Sequence, residues 1–159
     1  MVLGGFMTIK KIAITLPLEE NTLGPLHKWG EEFDWSEIAE VHFLHVVKKQ
    51  VTSLEFGVIE NPDEKTYQQM VPALEQHMKL EAKKILPKEF TGQVFYHLTK
   101  QFSVEEEVIS LIKKLGLSLI VVSTRGIHGL KGLFHTSFAE KMIKFAPCDV
   151  YIVRPKAFS

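Results

Sequence analysis

The sequence predicts an α/β fold: an open parallel sheet of five strands with helices on both faces. Three observations predict it. Short apolar, partly β-branched runs alternate with longer stretches of helical periodicity, in the order β-α-β-α-β-α-β-α-β. Capping patterns and helix-stop residues fall between those segments. The chain has 159 residues and is 45% hydrophobic and 24% charged, which suits one domain with a real core. Residues 10–156 are read as that domain and 1–9 as an N-terminal extension.

Each element has its own warrant. Lys11 to Leu16 (KIAITL) reads as a buried strand, closed by Pro17, which cannot donate to a central ladder. Leu23, Leu26, Trp29 and Phe33 recur at helical spacing within Asn21 to Phe33, with Gly24-Pro25 expected to mark the helix start. Val41 to Val47 (VHFLHVV) is the second strand, and Lys48 to Glu60 is read as a loop. Asn61-Pro62-Asp63-Glu64 has the pattern of a helix opening, with Asn61 as cap, Pro62 at the first helical position and Glu64 completing a capping box. Tyr67, Met70, Val71, Leu74, Met78, Ala82 and Ile85 continue as an apolar stripe, read as core. Pro72 is expected to kink or split that helix. Val94 to Leu98 is the third strand. Ser103 and Glu106 form a capping box, Val108, Leu111, Ile112 and Leu115 the buried stripe, and Gly116 the stop. Leu119 to Val122 is the fourth strand. Ser137 and Glu140 cap a last helix carrying Phe138, Met142, Ile143 and Phe145, which Pro147 ends. Val150 to Val153 is the fifth strand.

Composition excludes several functions. Nineteen basic residues balance 19 acidic ones, so a broad electrostatic grip on nucleic acid is not expected. The longest apolar runs are too short to cross a bilayer, and the N-terminal stretch has no signal-peptide pattern. Cys148 is the single cysteine, which rules out an intrachain disulfide and fits a reducing, cytoplasmic compartment. It reads as packing rather than as a redox sensor. The seven histidines show no metal-binding spacing, and no Cys-x-x-Cys is present, so no metal site is assigned. His42 and His45 fall on opposite faces of one strand. No serine or cysteine triad has motif support, so no catalytic residue is assigned either.

The chemistry concentrates in Ile120 to Glu140, IVVSTRGIHGLKGLFHTSFAE. A strand ends, a loop with glycines at 126, 129 and 132 follows, and a helix opens after Thr136-Ser137. Glycine allows close backbone approach to an anion, and unpaired N–H groups at a helix start face it. Arg125, His128, Lys131 and His135 precede the first acid, Glu140, so the positive charge is local. Ser137 also has a plain reading as a helix cap. The stretch Val51, Leu54, Phe56, Val58 and Ile59 is unusually apolar for a loop and is expected to cover the pocket or meet a protein partner.

The order of elements, the segment STRGIHGLKGLFHTSFAEK and the ending FAPCDVYIVRP resemble the universal stress protein family, from Lys10 to Pro155. The resemblance implies a flavodoxin-like or adenine-nucleotide alpha-hydrolase-like sheet of strand order 3-2-1-4-5. It also implies a cytoplasmic, non-enzymatic stress-response protein, and a homodimer through the last strand, Asp149 to Val153. One branch of the family binds ATP and another does not. The family's phosphate motif falls here on Ser123, Gly126, Thr136 and Ser137. Gly126 and Ser137 match it, whereas Ser123 and Thr136 replace glycines and occupy phosphate space. The nucleoside-facing acid of the ATP-binding branch is replaced by Pro17, followed by Leu18. The implied cofactor-binding set is Ser123, Arg125, Gly126, Gly129, Thr136 and Ser137, with no cofactor required and ATP as the nucleotide to test. An ATP-dependent switch or slow ATPase is the alternative. A related adenylyl-transferring enzyme is a third reading, but Gly126-Ile127-His128-Gly129 lacks the second histidine of its signature.

Overall fold

A computed structural model describes residues 10–18, 20–124 and 138–154. Strand β1 (Lys10–Thr15) leads to helix α1 (Glu20–Glu32), then β2 (Ile38–Lys48), β3 (Gln50–Leu54) and β4 (Gly57–Asn61). Helix α2 (Glu64–Ile85), β5 (Gln93–Gln101), α3 (Val104–Leu115), β6 (Leu119–Ser123), α4 (Phe138–Phe145) and β7 (Asp149–Val153) complete the order. The main sheet runs β5-β2-β1-β6-β7, with every pairing parallel. With the β3–β4 hairpin set aside, this is the expected 3-2-1-4-5.

Alternation along the strands builds two core layers. Ile12, Ile14, Val41, Phe43 and Val121 face α1 and α2, meeting Leu23, Leu26, Trp29, Met78, Ala82 and Ile85. Ala13, Leu44, Ile120 and Val122 face the opposite way, onto Val108, Ile112, Ala139 and Met142 of α3 and α4. A central strand covered on both faces must be apolar at successive positions, as β1 is. The α1–α2 packing is close at Gly30, where an added methyl would collide with the backbone carbonyl of Ile85.

Several expectations need correction. Helix α1 begins at Glu20, ahead of Gly24-Pro25, and Pro25 lies inside it. The proline removes one bond near an end where backbone partners are already scarce, and the burial of Leu23 draws the helix back past it. Helix α2 is not split at Pro72. Its cap is Asp63, whose carboxylate accepts from the Thr66 N–H at 2.7 Å. Asn61 cannot cap because it ends β4, opposite Gln50. The stripe on α2 is buried only at Met78, Ala82 and Ile85, while Met70 is exposed. On α4, Ile143 and Phe145 point outward, leaving Ala139 and Met142 for the core. The expected loop over 48–60 is an antiparallel hairpin joined by Glu55 and Phe56.

Helix α3 follows the sequence reading. Ser103 Oγ accepts from the Glu106 N–H at 3.2 Å, and Gly116 ends the helix at φ 65, a left-handed conformation that favours glycine.

Candidate functional site

Chain order reverses between β1 and β6, so the crevice beyond their C-terminal ends is where such a sheet binds ligands. Residues 15–18 form one wall and Ser123-Thr124 the other. Thr15 Oγ1 donates to the Val121 carbonyl at 3.2 Å, and the Leu16 N–H donates to Leu44 at 2.8 Å, so the exit of β1 is fixed on both sides. Thr124 N–H donates to Val153 at 3.0 Å and holds the exit of β6 against β7. Leu18 then takes φ 51, and its half-buried side chain packs against the core beneath α1 and α2.

Ser123 is the sequence candidate that the structure describes. Its Oγ is buried, with no hydrogen-bond partner among the described residues. An unpaired buried hydroxyl is costly, and among the described residues only Thr99 Oγ1 shares this condition. Arg125, Gly126, Gly129, Thr136 and Ser137 lie outside the described residues.

Sequence reading missed His45. Its Nδ1 lies 2.7 Å from the Leu16 carbonyl and donates to it, which sets the ring against the β1 exit. Burial holds the imidazole below its ordinary pKa, the Leu16 bond opposes this, and nearby His77 adds to it. The neutral form is therefore favoured. The relevant signal, a histidine on β2 one position past the β1 terminus, depends on strand register and is invisible before pairing is known. On the described side of the crevice, Pro17, Leu18 and His45 stand at the exit of β1. The chain supplies no carboxylate at the position after β1 where the resemblance would put one, so these residues do not fit that mode of nucleoside binding.

Two further polar clusters lie away from the crevice. His42 Nδ1 and His97 Nε2 are 2.9 Å apart across β2 and β5, and Glu40 Oε2 lies 3.1 Å from His42 Nε2. His42 also stacks on Phe95, with centroids 4.7 Å apart. Burial depresses the pKa of His97, with His42 and Lys114 adding to the effect. Between the helices, the buried Glu81 carboxylate meets His27 Nε2 at 2.6 Å and Lys84 Nζ at 2.8 Å. Burial pushes Glu81 upward, but Lys84 and His27 outweigh it, and the net direction is down. Neither cluster arranges its groups so that three could hold one metal ion; among the described residues no group of three does. Cys148 is half-buried against the α3–α4 layer, and burial together with Asp149 pushes its thiol up, as packing rather than reactivity requires.

A sequence model of the universal stress protein family matches residues 26–154. Universal stress protein YxiE of Bacillus subtilis (strain 168) is 32% identical over 123 residues, covering 73% of this chain and 80% of that protein. The solved structure of hypothetical protein MJ0577 superposes with a TM-score of 0.68 at 18% identity, covering 94% of this chain and 98% of that one. A universal stress protein family protein from Arabidopsis thaliana, solved with AMP bound, gives a TM-score of 0.58 at 14% identity over 93% of each chain. Sheet order, the crevice between β1 and β6, and these matches agree: the chain belongs to the universal stress protein family.

Proposed function

We propose that this chain is a cytoplasmic, non-enzymatic stress-response protein that acts by binding other protein chains, with a nucleotide site that has lost its nucleoside end. The observation that carries this reading is Leu18. It packs against the core just after Pro17, the position where the resemblance calls for a nucleoside-facing acid. The surfaces left for partners are the outer edge of β7 and the hairpin, whose strands are exposed along nearly their whole length.

A second reading has its own support. The unpartnered Ser123 hydroxyl would suit a phosphate oxygen, and the Arabidopsis relative carries AMP. On that reading the chain is a nucleotide-dependent switch. Calorimetric titration of nucleotide-stripped protein with Mg·ATP separates the two. Absence of binding at millimolar ATP supports the partner-binding reading, whereas micromolar binding replaces it with the switch. Replacing both Ser123 and Thr136 with glycine is expected to raise ATP affinity; no gain would show that their side chains are not the obstacle. Conversion of ATP to AMP and pyrophosphate in the same samples would revive the adenylyl-transfer reading.

A further inference from the structure

We propose that Glu40, His42 and His97 form an acid-sensitive latch on the outer strand of the sheet: it holds β5 to β2 with at most one added proton on the two rings, and lets β5 loosen when a second arrives. The inference goes beyond the partner-binding reading and does not depend on what occupies the crevice.

On the face of the sheet turned toward α3, β5 is joined to β2 through His42. That side chain is only 4% exposed. The Phe95 ring stacks on it at 4.7 Å, and the His97 ring lies alongside at 5.2 Å. The register sets Phe95 opposite His42 and His97 opposite Leu44, so β5 reaches one imidazole from two successive positions of the same face. Strand β5 has a single neighbour in the sheet, and α3 packs on β2. The contact with His42 therefore falls where the sheet ends.

The directions of the hydrogen bonds follow from the groups themselves. A carboxylate can only accept, so His42 Nε2 donates to Glu40 at 3.1 Å. In the neutral ring His42 Nδ1 is then bare, and it accepts from His97 Nε2–H at 2.9 Å. Lys11 Nζ lies 3.3 Å from the other oxygen of Glu40. The His42 bond, with Lys11 adding to it, holds the Glu40 carboxyl below its ordinary range against the pull of burial. Glu40 therefore stays ionised in mild acid.

One added proton fits this arrangement and two do not. The first sits on His42 Nδ1, between the carboxylate and His97. The bond then reverses: His42 donates, and His97 accepts through Nε2 while carrying its own hydrogen on Nδ1. A second proton sets N–H against N–H at the same 2.9 Å, with no acceptor between them. The charged groups facing the pair come from three elements: Glu40 on β2, Lys11 on β1 and Lys114 on α3. Glu40 is the anion among them, and Lys11 already shares it. Burial, His42 and Lys114 accordingly hold His97 below its ordinary value. Once β5 loosens, His97 meets solvent and takes its proton in the ordinary range near about 6.5. The loosened state binds one proton more than the latched state, so opening gains up to about tenfold per pH unit below that value.

The test is amide hydrogen exchange of the full chain from pH 7 to 5, corrected for intrinsic rates and resolved to β5, with β1 as the internal reference. Protection in β5 is expected to fall relative to β1 by up to about tenfold per pH unit in the acid range. Nitrogen NMR of the rings is expected to show His97 moving its hydrogen from Nε2 to Nδ1 before it becomes charged. His97→Gln, which can hydrogen-bond but not titrate, is expected to abolish the extra loss of protection. Glu40→Gln is expected to bring that loss to higher pH, because a latched pair without the carboxylate resists both protons. Circular dichroism checks the fold of each variant, and the wild-type measurements decide the matter even where a variant does not fold. Four results overturn the proposal: β5 no more acid-sensitive than β1, His97 charged without a change of tautomer, acid sensitivity retained in folded His97→Gln, or no shift in folded Glu40→Gln. ATP titration bears on the partner-binding reading and leaves these results unaffected, so the two failures are distinguishable.

Discussion

Gly30 shows how one residue fixes the distance between helices. With hydrogen in place of a side chain, α1 can back onto the Ile85 carbonyl at the end of α2. The obstructing atom is backbone, so neither a rotamer change nor a flexible tip relieves the clash. Gly30→Ala is expected to lower stability by about 1–3 kcal/mol, the range for an overpacked core site, despite alanine's better helix propensity. Urea denaturation measures the difference, and an unchanged midpoint would mean that the helices part without cost.

Two half-buried histidines set a pH dependence at the same scale. His97 is held below its ordinary value by burial first, then by His42 and Lys114; Glu40 lies on the far side of His42. His45 is likewise held down by burial, against its Leu16 bond and with His77 nearby. Both therefore contribute full stability above the ordinary histidine pKa of about 6.5. As pH falls through that value, the unfolded chain takes up protons that the fold resists, and stability declines toward the depressed folded values. Melting temperature is expected to fall from pH 7 to 5, and His97→Gln to flatten part of that slope. An unaltered slope in the variant would show that this histidine pair does not set it.

Among the elements, α3 illustrates local rules that agree with tertiary packing. Its cap, buried stripe and stop were all legible, because each depends on residues within a turn of one another. Ser103→Ala removes the acceptor for the Glu106 N–H and is expected to cost about 1 kcal/mol in chemical denaturation. A negligible cost would mean that solvent replaces the bond. Where legibility failed, the deciding interaction was distant or competing. Asn61 and Asp63 are both good caps, and only the pairing of Asn61 with Gln50 decides between them. The hairpin hid because its two-residue turn, Glu55-Phe56, lacks the Asn-Gly or Asp-Gly signature of tight hairpins; Gly57, at φ 141, comes one place later. Ser123 could be placed at the crevice from its strand, but the missing partner for its hydroxyl could not. His45 needed the register of β1 against β2. Arg125, Gly126, Gly129, Thr136 and Ser137 remain readings of the sequence.

At the scale of the whole molecule, sheet order determines which edges are open to a second chain. The outer positions of the sheet belong to β5 and β7, with β1 at the centre. In β7 the Asp149 N–H points inward, to the Ser118 carbonyl at 3.3 Å. Strand alternation then turns the Val150 and Ile152 N–H groups outward, away from β6. A proline at 152 removes one of those outward donors while sparing the β6 ladder, as edge positions allow. If the family dimer forms through β7, Ile152→Pro is expected to lower the solution mass by one association step without loss of fold. Light scattering on the wild type and the variant reads this directly, because an unchanged mass in a folded Ile152→Pro protein would exclude the edge of β7 as the contact.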